Sequence, residues 1–184
     1  MPLPHYTQAR ASSQRFEPIQ PNLFEVTIFS PLGDDTGLIL EQVKSIGGLN
    51  NLNPSVDAVA QKYKFADRSY ASMPGQTFVD LTLNFTLNLN DANENYMYNT
   101  FRNWYKLIYD PLTGEMGLKK DYVGSMIVVQ FNRAGDIFRK ITLKDVFPTA
   151  QPDFVDELSY ETPEPAELTM TYRCDHWLEE NVGA

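Results

Sequence analysis

Residues 77–90 read TFVDLTLNFTLNLN, with apolar and polar side chains alternating through the run. Val79, Leu81, Leu83, Phe85, Leu87 and Leu89 share one parity. Asp80, Thr82, Asn84, Thr86, Asn88 and Asn90 share the other. A strand sends successive side chains to opposite faces, so this stretch is one strand with a dry side and a wet side. Wet strand faces usually carry Lys, Glu and Arg. This one carries Thr and Asn with a single Asp, and any fold for the chain has to explain a long polar face with so little charge.

The chain has 184 residues, enough for one domain with a sizeable core that needs neither disulfides nor metal. A hydrophobic content of 42% suits a folded chain rather than a disordered one. The first 20 residues are polar, contain Pro2, Pro4 and Pro18, and read as an extended arm; residues 21–184 read as a single domain. Strand patterns follow in NLFEVTIFS and TGLILEQVKSI, a loop in SIGGLNNLNPS, and one further extended segment in AVAQKYKFADRSYA. Asp91 and Glu94 have the spacing of a capping box. Met97, Phe101, Trp104, Tyr105 and Ile108 then recur at helical spacing, and Pro111 and Gly114 end the helix. YVGSMIVVQFNR turns through Ala134-Gly135 into DIFRKITLKDVFP, a long hairpin, and LTMTYRCDHW alternates as a closing strand. Six to eight strands and one helix predict a mainly β protein, an antiparallel two-sheet sandwich or barrel with a flanking helix.

Net charge is −9, so the chain has little to gain from displacing phosphate counterions, and tight nucleic-acid binding is not expected. The charge is uneven. Residues 117–144 carry six cations against Asp121 and Asp136, and residues 151–184 carry nine acids against Arg173, which suggests copies meeting basic side to acidic side. Cys174 is the only cysteine, so no internal disulfide is expected. The start has no apolar core of the signal-peptide kind, and no stretch approaches the roughly 18 apolar residues of a membrane span. The expectation is synthesis in a cytoplasm without stable membrane insertion.

Chemical motifs are weak. Asp35-Thr36-Gly37 matches the aspartic-protease tripeptide but sits in a turn and has no second copy. Asp91, Asn93 and Asn95 begin like a calcium loop, yet Tyr96 stands where Gly is needed and Arg102 where Glu is needed. Cys174 and His176 share a parity but lack a second ligand pair. Two histidines and one cysteine make a nucleophile–base pair hard to assemble, and no Gly-rich phosphate loop occurs. The residues predict no enzyme, no metal and no cofactor.

The order of several segments resembles the tail tube proteins of contractile-tailed bacteriophages. These are QPNLFEVTI at 20–28 after a polar arm, FRNWYKLI at 101–108 on the helix, DVFPTAQPD at 145–153 and ELTMTYRCDHW at 167–177. The resemblance implies a virion protein whose six copies close a ring, their strands joining one continuous inner barrel, with rings stacked into a hollow tube. It implies as partners a tail sheath protein, a baseplate tube initiator, a tape measure protein and a tail terminator, with genomic DNA passing through without specific binding. A bore that lets DNA slide should avoid Lys and Arg, because each phosphate contact acts as a brake. On this reading Thr82, Asn84, Thr86 and Asn88 are candidates to line the lumen. Gly47, Gly48, Leu49, Asn50 and Asn51, with Arg10 and Arg15 of the arm, are candidates for contacts between subunits or rings. Closing a sheet through neighbouring copies would also remove exposed strand edges. The competing readings are a type VI secretion tube or baseplate tube initiator of the same fold, and a carbohydrate-binding β-sandwich.

Overall fold

The computed structural model describes residues 19–33, 42–52, 56–72, 78–87, 96–152 and 165–181. The strands are β1 (Phe24–Phe29), β2 (Val43–Gly47), β3 (Ala58–Lys62), β4 (Asp67–Ala71), β5 (Val79–Thr86), β6 (Gly124–Phe131), β7 (Ile137–Pro148), β8 (Glu167–Cys174) and β9 (His176–Asn181). Two helices, α1 (Tyr96–Ile108) and α2 (Lys119–Tyr122), join β5 to β6. All described strand pairings are antiparallel, in the order β1–β6–β7–β8–β5–β2, with β9 also on β7. Residues 1–18 of the arm, the 36–41 part of the expected second strand and the expected helix cap at 91–94 lie outside the described residues.

The order bends back on itself at β7. Ile137–Val146 run against β6, while Phe147 and Pro148 pair with Arg173 and Tyr172 of β8. Asp145, with φ 55, sits at this corner. The result is a two-layer sandwich with one core. Val26, Ile28, Met126, Val128, Ile141 and Leu143 enter it from one layer, and Leu81, Leu83, Phe85, Leu168, Met170, Tyr172 and Cys174 from the other. The layers do not close into a barrel among the described residues. β1 pairs only with β6, β2 only with β5, and a groove of about 600 Å³ lined by Phe24, Val43, Ile46, Leu49 and Val128 lies between them.

The helix stripe is where its spacing places it. Met97, Phe101 and Trp104 are buried; Tyr105 and Ile108 are half-buried. The Phe101 ring lies 5.1 Å from that of Phe85 and 6.1 Å from that of Tyr172, and Trp104 lies 5.8 Å from Tyr172. Each such side chain contributes about 1.5–3 kcal/mol by leaving water. Trp104 Nε1 donates to the Tyr122 carbonyl at 2.6 Å, which satisfies the one polar atom of the indole.

Three local expectations need correction. AVAQKYKFADRSYA is a hairpin of β3 and β4, reversed by the Tyr63 N–H to Ala66 carbonyl bond of 2.9 Å in a turn that carries no Gly or Pro signal. The SIGGLNNLNPS segment is not a free loop: Leu49–Leu52 form a 3-10 turn that buries Leu52, and Gly48 (φ 89) lies against the β5 backbone. The closing strand breaks at Asp175. Leu168, Met170, Tyr172 and Cys174 face the core on even numbers, whereas Trp177 packs on the core from an odd one. One residue at the bend reverses the parity and moves β9 onto β7. Cys174 and His176 consequently do not share a face: the thiol is buried, while the His176 side chain is 64% exposed.

Two outcomes follow. Gly124 has no room for a side chain, since a Cβ there would lie 2.4 Å from the Phe29 carbonyl oxygen and 2.9 Å from the Trp104 ring. Gly124→Ala should therefore cost about 1–3 kcal/mol, read as a lower urea midpoint with unchanged slope. Burial pushes the Cys174 thiol from 9.0 up to about 11, so the folded state stays protonated where the unfolded state ionises. Stability from this group is complete below pH 9 and declines as pH rises towards 11, with Tyr172, also raised by burial, acting in the same direction above 10. Cys174→Ala should flatten that decline, and native Cys174 should resist thiol reagents at pH 8 until urea unfolds the chain.

Candidate functional site

The outward face of the β2–β5–β8 layer carries the polar parity of β5. Asp80, Thr82 and Asn84 stand opposite Arg173, Thr171 and Thr169 of β8, and Thr86 stands opposite Glu167. Across the other edge of β5, Ser45 pairs with Asn84 and Gly47 with Thr82. Partners in register share a face, so Ser45, Thr82, Asn84, Thr86, Thr169 and Thr171 form one hydroxyl and amide surface. It is knitted sideways. Asn84 Nδ2 donates to Ser45 Oγ at 2.9 Å, and Thr169 Oγ1 donates to Asn84 Oδ1 at 2.8 Å.

Among the described residues, charge sits only at the two ends of this patch. At one end Arg173 grips Asp80 through Nε–Oδ1 at 2.8 Å and Nη2–Oδ2 at 3.1 Å, and its guanidinium lies 4.0 Å from the Phe78 ring centre. The Arg173 bond holds the Asp80 carboxyl below the usual range, and the Asp80 bond raises the Arg173 guanidinium in return. At the other end Lys44 pairs with Glu167. Asn88 of the candidate lumen set lies outside the described residues, as do Arg10 and Arg15 of the contact set.

Among the remaining contact candidates, Gly47 belongs to β2, Gly48 lies against Asp80, and Leu49 packs partly on the core; Asn50 and Asn51 are exposed. Sequence reasoning missed the more prominent exposed feature. Every residue of β3 and β4 is solvent-exposed, and Phe65 at the tip is 92% exposed. The alternation there has no buried parity to reveal it.

The basic 117–144 segment stands elsewhere. Arg139 pairs with Glu179 at 2.6 Å, Lys140 with Glu180 at 3.8 Å, and Lys119 with Asp175. The basic 117–144 and acidic 151–184 segments thus meet within one chain, through β7 and β9. Their layer also exposes Phe29 and Leu178 outward. Among the described residues no three His, Cys, Asp or Glu side chains gather as a metal site. The tripeptide at 35–37 and the calcium-like residues at 91–95 lie outside the described residues.

No protein-family model and no curated protein sequence matches the chain. Solved structures do. A chain of the sheath–tube complex of an extracellular contractile injection system, PVC, in the extended state superposes with a TM-score of 0.58 at 14% identity, covering 90% of this chain and 93% of that one. A chain from the tube-terminating cap of the anti-feeding prophage gives 0.59 at 17% identity, covering 91% and 93%. A chain from the anti-feeding prophage baseplate gives 0.54 at 8% identity, covering 92% and 99%. Near-complete coverage of both chains at such low identity is agreement of fold: this chain shares the fold of these chains from an extracellular contractile injection system and the anti-feeding prophage.

Proposed function

We propose that the chain is a structural subunit of a tail tube, six copies of which close a ring and whose rings stack into a hollow conduit. The observation that carries this reading is the β2–β5–β8 layer, which has a hydrogen-bonded, nearly uncharged outer face and, among the described residues, unpaired edges on β2 and along the first half of β8. Joining β2 of one copy to β8 of the next would continue the layer around a bore lined by Thr82, Asn84 and Thr86. Unpaired edges are otherwise a liability for a soluble β protein. The cations of 117–144 lie off this face, as a wall that passes a polyanion requires.

The β3–β4 hairpin supports stacking. A two-stranded ribbon standing alone in water is marginal, and this one presents Val59, Tyr63, Phe65 and Tyr70 to solvent. With Asn50 and Asn51 it forms the surface through which rings would meet. Sheath, initiator, tape measure and terminator complete the particle on this reading, with a phage genome as cargo. A second reading is favoured by the similar structures, which come from an extracellular contractile injection system and from the cap and baseplate of the anti-feeding prophage: the same tube, or its cap or initiator, in a particle that delivers another cargo.

Concentrated protein viewed by negative-stain electron microscopy should show hollow rings or tubes; a monomer at every concentration, with or without a baseplate template, removes the proposal. Replacing Thr82, Asn84 and Thr86 together by Lys should slow cargo delivery by the parent particle at least about tenfold, through added phosphate contacts. Delivery at the native rate would show that this face does not line the bore. Residues 58–71 can be replaced by a short Gly-Ser link, because the Ser72 N–H already meets the Asp57 carbonyl at 2.7 Å. That deletion should leave the melting temperature within a few degrees of native while tubes give way to single rings.

A further inference from the structure

Among the described residues, the outward face of the β2–β5–β8 layer carries two cations, Lys44 and Arg173, and two carboxylates, Asp80 and Glu167, so these charges cancel. The way they cancel is specific. Arg173 is held at three points: two guanidinium nitrogens on the two oxygens of Asp80, and its flat face over Phe78. A forked guanidinium–carboxylate contact fixes direction as well as distance, so the guanidinium is turned across to Asp80 on the neighbouring strand. Lys44 leaves β2 at the bulge between Val43 and Ser45, and its ammonium meets Glu167 on β8, beyond β5. Its stem therefore crosses the layer at the level of Thr86, the residue opposite Glu167.

Both pairs are too exposed to add much stability, with side chains between 36% and 58% accessible. Their effect is on what the face offers to a charged neighbour. We propose that Asp80 and Glu167 are selectivity residues of the channel wall: they hold Arg173 and Lys44 down along the sheet, so that a passing polyanion meets no free cation. This rests on the reading of the face as the wall of the bore. Six copies would bring twelve such cations, two from each, to every ring. Left free, each is a phosphate contact that displaces a counterion, and the sum would make a sliding surface a gripping one. The uncharged Ser45–Asn84–Thr169 patch between the pairs cannot supply that grip.

The test is made on the purified chain with a fluorescent DNA duplex of about 20 base pairs. The double variant Asp80→Asn, Glu167→Gln keeps side-chain size and frees both cations. It should bind the duplex at least about tenfold more tightly than the native chain near 50 mM salt, and the gain should vanish near 200 mM. A control, Glu115→Gln with Asp121→Asn, removes the same two negative charges from exposed positions away from the face, and should show no such gain. Adding Lys44→Met and Arg173→Met to the first variant should abolish the gain. No gain in the first variant, or an equal gain in the control, overturns the proposal. Because this is read on the subunit, it stays separate from the tube reading, which falls only if the native chain fails to form rings.

Discussion

Phe101 and Trp104 pack from α1 on Phe85 and Tyr172 of one layer, Trp104 also lies against Gly124 of the other, and both layers share one dry interior. With the interior common, each layer has one inward face and one outward face. Every strand must present its apolar parity to the same side. Gly124 belongs to the same constraint, since Trp104 and the Phe29 carbonyl occupy the space a side chain would need. The polar parity of β5 is outward because its partner parity is committed to these rings.

Once the inward faces are committed, the two outward faces can diverge, and they do. The β2–β5–β8 face is a mat of hydroxyls and amides bonded to one another, with ion pairs confined to its ends. The opposite layer carries Lys140, Lys144 and Glu180 together with exposed Phe29 and Leu178. On the proposed tube reading, such asymmetry would suit a wall with solvent and cargo on one side and protein on the other. Side chains that hydrogen-bond each other across this face have fewer groups left to bind another molecule. Among the described residues, the unpaired edges of β1, β2 and β9 give a second asymmetry, in the plane of the sheets rather than across them.

The strands whose one face is buried were legible from sequence. Alternation in 79–86 and 168–174 and the helical stripe at 97–104 each report a boundary between core and water, and that boundary is what side-chain periodicity encodes. Where no such boundary exists the pattern is silent. The β3–β4 hairpin is exposed throughout, so its two strands read as one extended segment. The turn at Leu49–Leu52 looked like a loop because glycine and asparagine dominate its composition, yet Leu52 anchors it in the core. The bend at Asp175 was equally hidden, as one residue reverses the parity without disturbing local composition.

What the sequence by itself determined is the division of each long strand into a dry side and a wet side, the near absence of charge on the wet side of β5, and the helix that covers the core. Those follow from the order of side chains along one strand or helix. Only the tertiary structure decided that the sandwich stays open between β1 and β2, that the closing strand crosses to the other layer, and that Lys44 and Arg173 are held by Glu167 and Asp80. Each of these joins residues from separate strands. Partners 93 and 123 positions apart, as in the Arg173–Asp80 and Lys44–Glu167 pairs, meet because register brings β2, β5 and β8 side by side, and register is a property of the packed sheet.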